Sequence, residues 1–179
     1  REAELIFMGV KQGVGLSSQS SLIMDIGGGS VEFILCNSSG ILWKKSYPIG
    51  AAKLMVLYHH SDPIKQVEIK NIQKYLNEVL QDLKAVCAKE KPQILIGSSG
   101  AFETFAELVN RKFNLPGSQP EGTEFDIIPE QFREVAAELL LSTHAQRASN
   151  PGIIQVRVDM IIVAAILTLY ILDQLGIQK

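Results

Sequence analysis

The sequence is short of the residues from which several kinds of site are built. Two cysteines in 179 residues, Cys36 and Cys87, stand far apart in no metal-ligand or redox spacing. That excludes a disulfide framework and reads as two core or surface thiols in a reducing compartment. Charge of one sign is also lacking: 17 basic against 19 acidic residues leave a net charge of −2, without a basic cluster. A dedicated nucleic-acid surface is therefore not expected, and any polyanion would have to be held by local donors and a cation. No signal peptide is visible. The apolar run from Met160 to Leu172, between Asp159 and Asp173, falls short of the ~20 residues that span a bilayer and reads as a buried helix closed by Gly176. The chain opens without methionine on an amphipathic segment, so it is expected to be part of a longer protein.

What is present is 46% hydrophobic and 20% charged, enough for one substantial core in a globular domain. Its centre of interest is the stretch Leu22 to Leu35, where two strand-like apolar runs meet at Gly27-Gly28-Gly29. A bare triple glycine is also a plain hairpin turn between buried strands. The flanking residues argue for more. Successive glycines let peptide N–H groups converge on an anion and let a bulky group approach the main chain, which suits phosphate oxygens, and Ser30 adds a hydroxyl. Asp25 would repel phosphate by itself, so its useful role is to hold a hard cation such as Mg²⁺ that bridges the two negative groups. Glu32 shares the parity of Ser30 along the second run, opposite Val31, Phe33 and Leu35, and is the second candidate metal ligand. No Gly-Lys-Ser/Thr follows the glycines and the next run is a strand, so neither the nucleotide P-loop nor the dinucleotide fingerprint applies.

Along the chain, residues 1 to 10 read as the end of a helix and residues 11 to 20 as a polar loop. Strands are expected at Leu22 to Ile26, Val31 to Cys36 and Ile41 to Tyr47, the last two joined by the hairpin Asn37-Ser38-Ser39-Gly40. Trp43 belongs to the core side. A helix from Gly50-Ala51-Ala52 to Tyr58 could offer its first amides to a second phosphate, with Lys53 either a phosphate contact or a solvated helix lysine. His59 and His60 are adjacent, so they make no shared metal site, and a helix C-terminus favours a protonated imidazole there. Asp62-Pro63 is read as the cap of one long helix from Ile64 to Glu90 with a buried stripe from Ile69 to Val86. Gln93 to Ile96 is a short strand, and Gly97-Ser98-Ser99-Gly100 turns into a helix from Ala101 to Asn110. Ser98 and Ser99 there are hydrogen-bonding candidates or simply a tight connection. Asn114 to Asp126 reads as an exposed loop, Pro129 to Leu141 as a helix, and Ser142 to Gly152 as a polar connection.

The segment Asp25-Ile26-Gly27-Gly28-Gly29-Ser30-Val31-Glu32 resembles the second phosphate motif of the acetate kinase, sugar kinase, heat-shock chaperone and actin superfamily, specifically that of the exopolyphosphatase and guanosine pentaphosphate phosphohydrolase family. Glu2-Ala3-Glu4-Leu5 resembles its Glu-Ala-Arg-Leu segment, with Arg1 in place of an acid and Glu4 in place of Arg. Gly50-Ala51-Ala52-Lys53-Leu54 resembles its Gly-Ala-x-Arg-Leu segment, Ile96-Gly97-Ser98-Ser99-Gly100 its Gly-rich turn, and Arg157-Val158-Asp159 its Arg-Ala-Asp helix start. Val163-Ala164 departs from the Pro-Gly that follows. Arg157 and Asp159 could close the site or pair with each other.

The resemblance implies an α/β domain of ribonuclease-H-like, actin-like ATPase topology, its mixed sheet opened by a three-strand antiparallel meander and flanked by helices. Residues 1–179 would be a single lobe, the C-terminal one of a two-lobed phosphohydrolase whose N-terminal lobe carries the first phosphate motif. The activity implied is metal-assisted hydrolysis of a terminal phosphoanhydride of polyphosphate or guanosine pentaphosphate. In it Glu2 is the general base, Gly27, Gly28, Gly29, Ser30, Lys53, Ser98 and Ser99 are phosphate contacts, and Asp25 and Glu32 hold Mg²⁺ or another divalent cation. The isolated lobe would be inactive or nearly so. A cytoplasmic protein follows, with a homodimer as a further partner and neither nucleic acid nor membrane involved. An actin-like kinase or ATPase and a non-catalytic polyphosphate or alarmone sensor are the alternatives.

Overall fold

The computed structural model describes residues 2–114, 124–177 and 179. Helix α1 (Glu2–Gly13) leads into strands β1 (Ser21–Ile26), β2 (Val31–Asn37) and β3 (Gly40–Tyr47), which form the expected antiparallel meander. Strand β4 (Ile94–Gly97) joins β1 in parallel, giving the order β3-β2-β1-β4. Every residue of β2 from Val31 to Cys36 is buried because both faces of the sheet are covered. Leu22, Met24, Val31, Phe33 and Leu35 face the main core, whereas Ile23, Ile34 and Cys36 form a second core with Val10 of α1. Trp43 packs on the main core as its parity requires, and both cysteines are buried free thiols, one in each core.

The remaining helices are α2 (Ala51–Tyr58), α3 (Gln66–Val79), α4 (Gln81–Glu90), α5 (Gly100–Phe113), α6 (Pro129–Leu141), α7 (His144–Ala148) and α8 (Ile161–Leu175). The apolar C-terminal run is α8, which packs against α2, α3, α4 and α6 and ends at Gly176 with φ +63°. It is buried on nearly every side, and each of its large aliphatic side chains gains roughly 1.5–3 kcal/mol over an exposed position. No helix among the described residues is long and apolar enough to cross a membrane.

Four local expectations are corrected. The long helix is two: it begins at Gln66 and bends at Leu80, where φ −98° and ψ 23° leave the helical region while Leu80 N–H still donates to Leu76 O. The apolar stripe of Ile69, Ile72, Leu76, Leu80 and Leu83 runs straight through the bend, so periodicity could not reveal it. Asp62 does not cap α3. It accepts the His144 N–H of α7, and the first turn of α3 is closed by Glu68, whose carboxylate accepts the Lys65 and His60 amides at 2.8 and 2.7 Å. Helix α1 continues to Gly13, and the polar connection after Ser142 contains α7, opened by the Thr143/Gln146 capping box. The exposed-loop reading of 114–126 falls largely on residues 115–123, outside the described residues.

Candidate functional site

The β1–β2 connection is held from behind by α2. Gly27 N–H donates to Ser30 O at 2.9 Å, and the carbonyls of the three glycines point at the helix. Gly29 O accepts from Gly50 N (3.1 Å), Gly27 O from Ala51 N (2.9 Å), and Gly28 O from Ala52 N and Lys53 N (3.0 and 3.2 Å). The opening amides of α2 are thus engaged, which overturns the expectation that they face a second phosphate. The same geometry frees the other side of the loop. Among the described residues, the amides of Gly28, Gly29 and Ser30 have no hydrogen-bond partner.

The three glycines are not there for positive φ, which none of them has. At Gly28 a Cβ would reach only Ala52 Cβ, at 3.8 Å, and at Gly29 nothing within 4 Å, so their lack of side chains leaves the main chain open to a bulky group. Gly50, at the start of α2, carries the steric constraint. A Cβ there would overlap the backbone of Gly28 and Gly29, so only glycine lets α2 dock.

Beside the loop, Asp25 and Glu32 are register partners on adjacent strands. Glu32 is 6% exposed and accepts two hydroxyls on Oε1, from Ser30 at 2.8 Å and from Ser46 of β3 at 2.6 Å. Burial, and then the charges of Glu32 and Glu2, push the Asp25 carboxyl up to about 6. Three acids therefore act on one place, and a phosphate chain would meet net repulsion there without a cation. Among the described residues no three His, Cys, Asp or Glu side chains are arranged to hold a metal together. Asp25 and Glu32, as register partners on adjacent strands, are the two carboxylates that could hold a cation here. Such a pair suits Mg²⁺, which keeps several waters and takes further oxygens from phosphates.

Glu2 begins α1 and is exposed; Lys53 is exposed beside the loop, its side chain without an ion-pair or hydrogen-bond partner among the described residues. The 97–100 turn lies at the same end of the sheet, with Ser98 N–H donating to Met24 O at 3.0 Å. Its glycines are closely packed, since Cβ atoms at Gly97 and Gly100 would overlap the Phe102 ring and the Arg157 guanidinium, while Gly97 itself is exposed and Ser98 half-buried. Ser99 Oγ is sealed and has no partner. Arg157 and Asp159 do not pair. Arg157 binds Thr104 and Glu103, both at 3.1 Å, and Asp159 binds His144, also at 3.1 Å.

Cavities of about 490 and 370 Å³ lie away from the loop, which is an open mouth. The smaller one is lined by His59, His60, Asp62, His144, Arg147 and Asp159 at the far end of α2. There burial and the Arg147 guanidinium hold His59 below the usual imidazole value, contrary to the protonated histidine expected at a helix C-terminus.

All of residues 1–179 match the sequence model described as the Ppx/GppA phosphatase family. The chain belongs to that family. Among similar Ppx/GppA structures, a crystal structure of an exopolyphosphatase from Cytophaga hutchinsonii superposes with a TM-score of 0.93 at 36% identity, covering 99% of this chain and 56% of that one. The Aquifex aeolicus Ppx/GppA phosphatase, at 19% identity, shares the fold with a TM-score of 0.81 over 96% of this chain and 55% of its own. Exopolyphosphatase 2 of Mycobacterium tuberculosis is 26% identical over 161 residues, 89% of this chain and 49% of that protein. The chain spans about half the length of the curated relatives it matches. The four-strand mixed sheet with its flanking helices is the actin-like ATPase fold of these neighbours.

Proposed function

We propose that this chain is the C-terminal lobe of a two-lobed phosphohydrolase that removes the terminal phosphoryl group of inorganic polyphosphate or of guanosine pentaphosphate. The observation that carries this reading is the polarity of the glycine loop. Its carbonyls are engaged by α2, and its Gly28, Gly29 and Ser30 amides are left to converge on an anion. Membership of a phosphatase family and relatives named exopolyphosphatase support the same chemistry.

In this reading the loop amides and the Ser30 hydroxyl bind and orient the phosphate chain, with Lys53 and Ser98 at its rim. Asp25 and Glu32 would hold Mg²⁺, which supplies charge neutralisation on the phosphoryl oxygens. Glu2 would take a proton from the attacking water as the new P–O bond forms and the anhydride P–O bond breaks, leaving orthophosphate and the shortened chain. The open mouth suits closure by a second lobe, and two free buried thiols suit a reducing cytoplasm.

Phosphate release by the full-length two-lobed protein from polyphosphate, guanosine pentaphosphate and ATP, with and without Mg²⁺ and with an Asp25→Ala control, tests this. Metal-dependent release from polyphosphate or the pentaphosphate, lost in the control, is expected. Release from ATP alone would make it a kinase or ATPase, and binding without release a sensor.

A further inference from the structure

Ser46, Glu32 and Asp25 form one row across the sheet. Ser46 on β3 is the register partner of Glu32 on β2, and Glu32 is the register partner of Asp25 on β1. Partners in an antiparallel ladder carry their side chains on the same face, so the row places a hydroxyl, a buried carboxylate and a second carboxylate side by side. Both hydroxyls that reach Glu32 land on the same atom. Ser46 donates to Oε1 at 2.6 Å and Ser30 donates to Oε1 at 2.8 Å, while Oε2 has no hydrogen-bond partner among the described residues.

Oε2 is nevertheless not sealed in, since Ser99 Oγ is the side-chain polar atom among the described residues that is both buried and unpartnered. Glu32 therefore has one oxygen fixed by two donors and one left to work. We infer that Ser46 is a positioning residue that, together with Ser30, locks Oε1 of Glu32 so that Oε2 is presented beside Asp25 as a preset cation ligand. This rests on the proposed metal-assisted reading of the loop.

The chemistry requires such a device. A glutamate has three rotatable bonds, and one that must bridge two strands to meet a cation loses affinity for every rotamer it samples away from the site. Ser30 cannot lock it unaided, because Ser30 belongs to the loop that must also receive phosphate. Ser46 sits on the edge strand β3, outside the loop, and is exposed itself, so no demand of the core explains its bond to a buried acid. Hydrogen-bonding partners of metal-ligating carboxylates commonly change metal affinity or turnover 10–100-fold when removed.

The test uses the full-length protein with Ser46→Ala, Ser46→Thr, Glu32→Gln and the Ser46→Ala/Glu32→Gln pair. Mn²⁺ binding without substrate is read by electron paramagnetic resonance, and kcat and KM by phosphate release from polyphosphate. Ser46→Ala is expected to weaken Mn²⁺ binding about tenfold and lower kcat by a similar factor with KM within about twofold. Ser46→Thr, which keeps the hydroxyl, should restore both. In the Glu32→Gln background the further loss from Ser46→Ala should be under about twofold, because the two act as one unit. Wild-type Mn²⁺ affinity in Ser46→Ala, or an undiminished loss in the Glu32→Gln background, would overturn the inference. A wild-type protein that releases no phosphate, yet binds Mn²⁺ in a Ser46-dependent way, would overturn the hydrolase reading and leave the role of Ser46 supported.

Discussion

Two connections at the same end of the sheet, Gly27–Ser30 after β1 and Gly97–Gly100 after β4, are alike in composition and opposite in use. Both are small-residue turns at the carboxyl ends of neighbouring parallel strands, a place where open α/β sheets bind ligands. In the first, the space a side chain would fill at Gly28 and Gly29 is open, and the amides are unpartnered. In the second, that space is already occupied by Phe102 and Arg157, and the Ser99 hydroxyl is shut in. Glycine gives access in one and close packing in the other. The helix decides which. Helix α2 arrives from outside and takes the loop's carbonyls, whereas α5 continues from its own turn and takes Ser99 O through the Phe102 and Glu103 amides.

Substitutions that move one connection toward the other sharpen the comparison. The largest effect is expected from Gly50→Ala, which drives a methyl into the loop backbone and undocks α2. Destabilisation of about 3 kcal/mol in urea melts and near-complete loss of phosphate release should follow. Gly97→Ala collides with a side chain, not backbone, so a loss of about 2 kcal/mol with KM unchanged is expected for the folded fraction. Gly28→Ala should keep stability within about 0.5 kcal/mol, because its Cβ meets only Ala52 at 3.8 Å, yet raise KM several-fold by covering the amides. Unchanged KM would mean that phosphate does not approach there.

Asp25→Asn separates the loop by charge. With its carboxyl pushed up to about 6 by burial and then by Glu32 and Glu2, the folded chain binds this proton more tightly than the unfolded chain. The stability so gained is fully present below about 4 and is lost as pH rises through about 6. The asparagine variant should therefore melt higher than wild type at pH 8 without metal, by about 1 kcal/mol once partial exposure is allowed for, and show no such advantage at pH 4. The same variant should lose metal-dependent turnover. Ser99→Ala is expected to be neutral or to stabilise by under about 1 kcal/mol with KM unchanged, since it removes a sealed hydroxyl without a partner.

The smallest effect concerns the far end of α2. His59, held below its usual value by burial and Arg147, binds protons less well folded than unfolded, so stability should fall as pH drops below about 6.5. His59→Gln should flatten that slope in pH-dependent melts.

Much of this was legible in the residues. The burial of β2 appears as an apolar run broken by Glu32 alone, the α8 core helix as a run too short for a bilayer, and α6 as Pro129 opening a periodic stretch that ends at Leu141. Asp25 and Glu32 were suspect as acids in apolar strands, and the β1–β2 register makes them partners. Less legible was whatever depends on a remote neighbour. The bend at Leu80 leaves the apolar stripe unbroken, and Ser46 looks like any polar residue on an edge strand until its register partner is known. Gly50 reads as a helix start, and its steric role comes only from α2 lying against the loop.

The order of apolar and polar residues determined by itself the three-strand meander, most of the helices, the buried character of α8, and an acidic, glycine-rich turn between β1 and β2. These follow from periodicity and local backbone preference, which act between residues close in the chain. Only the tertiary structure decided that α2 would take the carbonyls of that mouth and leave its amides outward, that Ser46 would hold Glu32, and that the 97–100 turn would be filled. Those outcomes depend on which surfaces meet across the sheet, where a single Cβ at Gly50 separates docking from overlap.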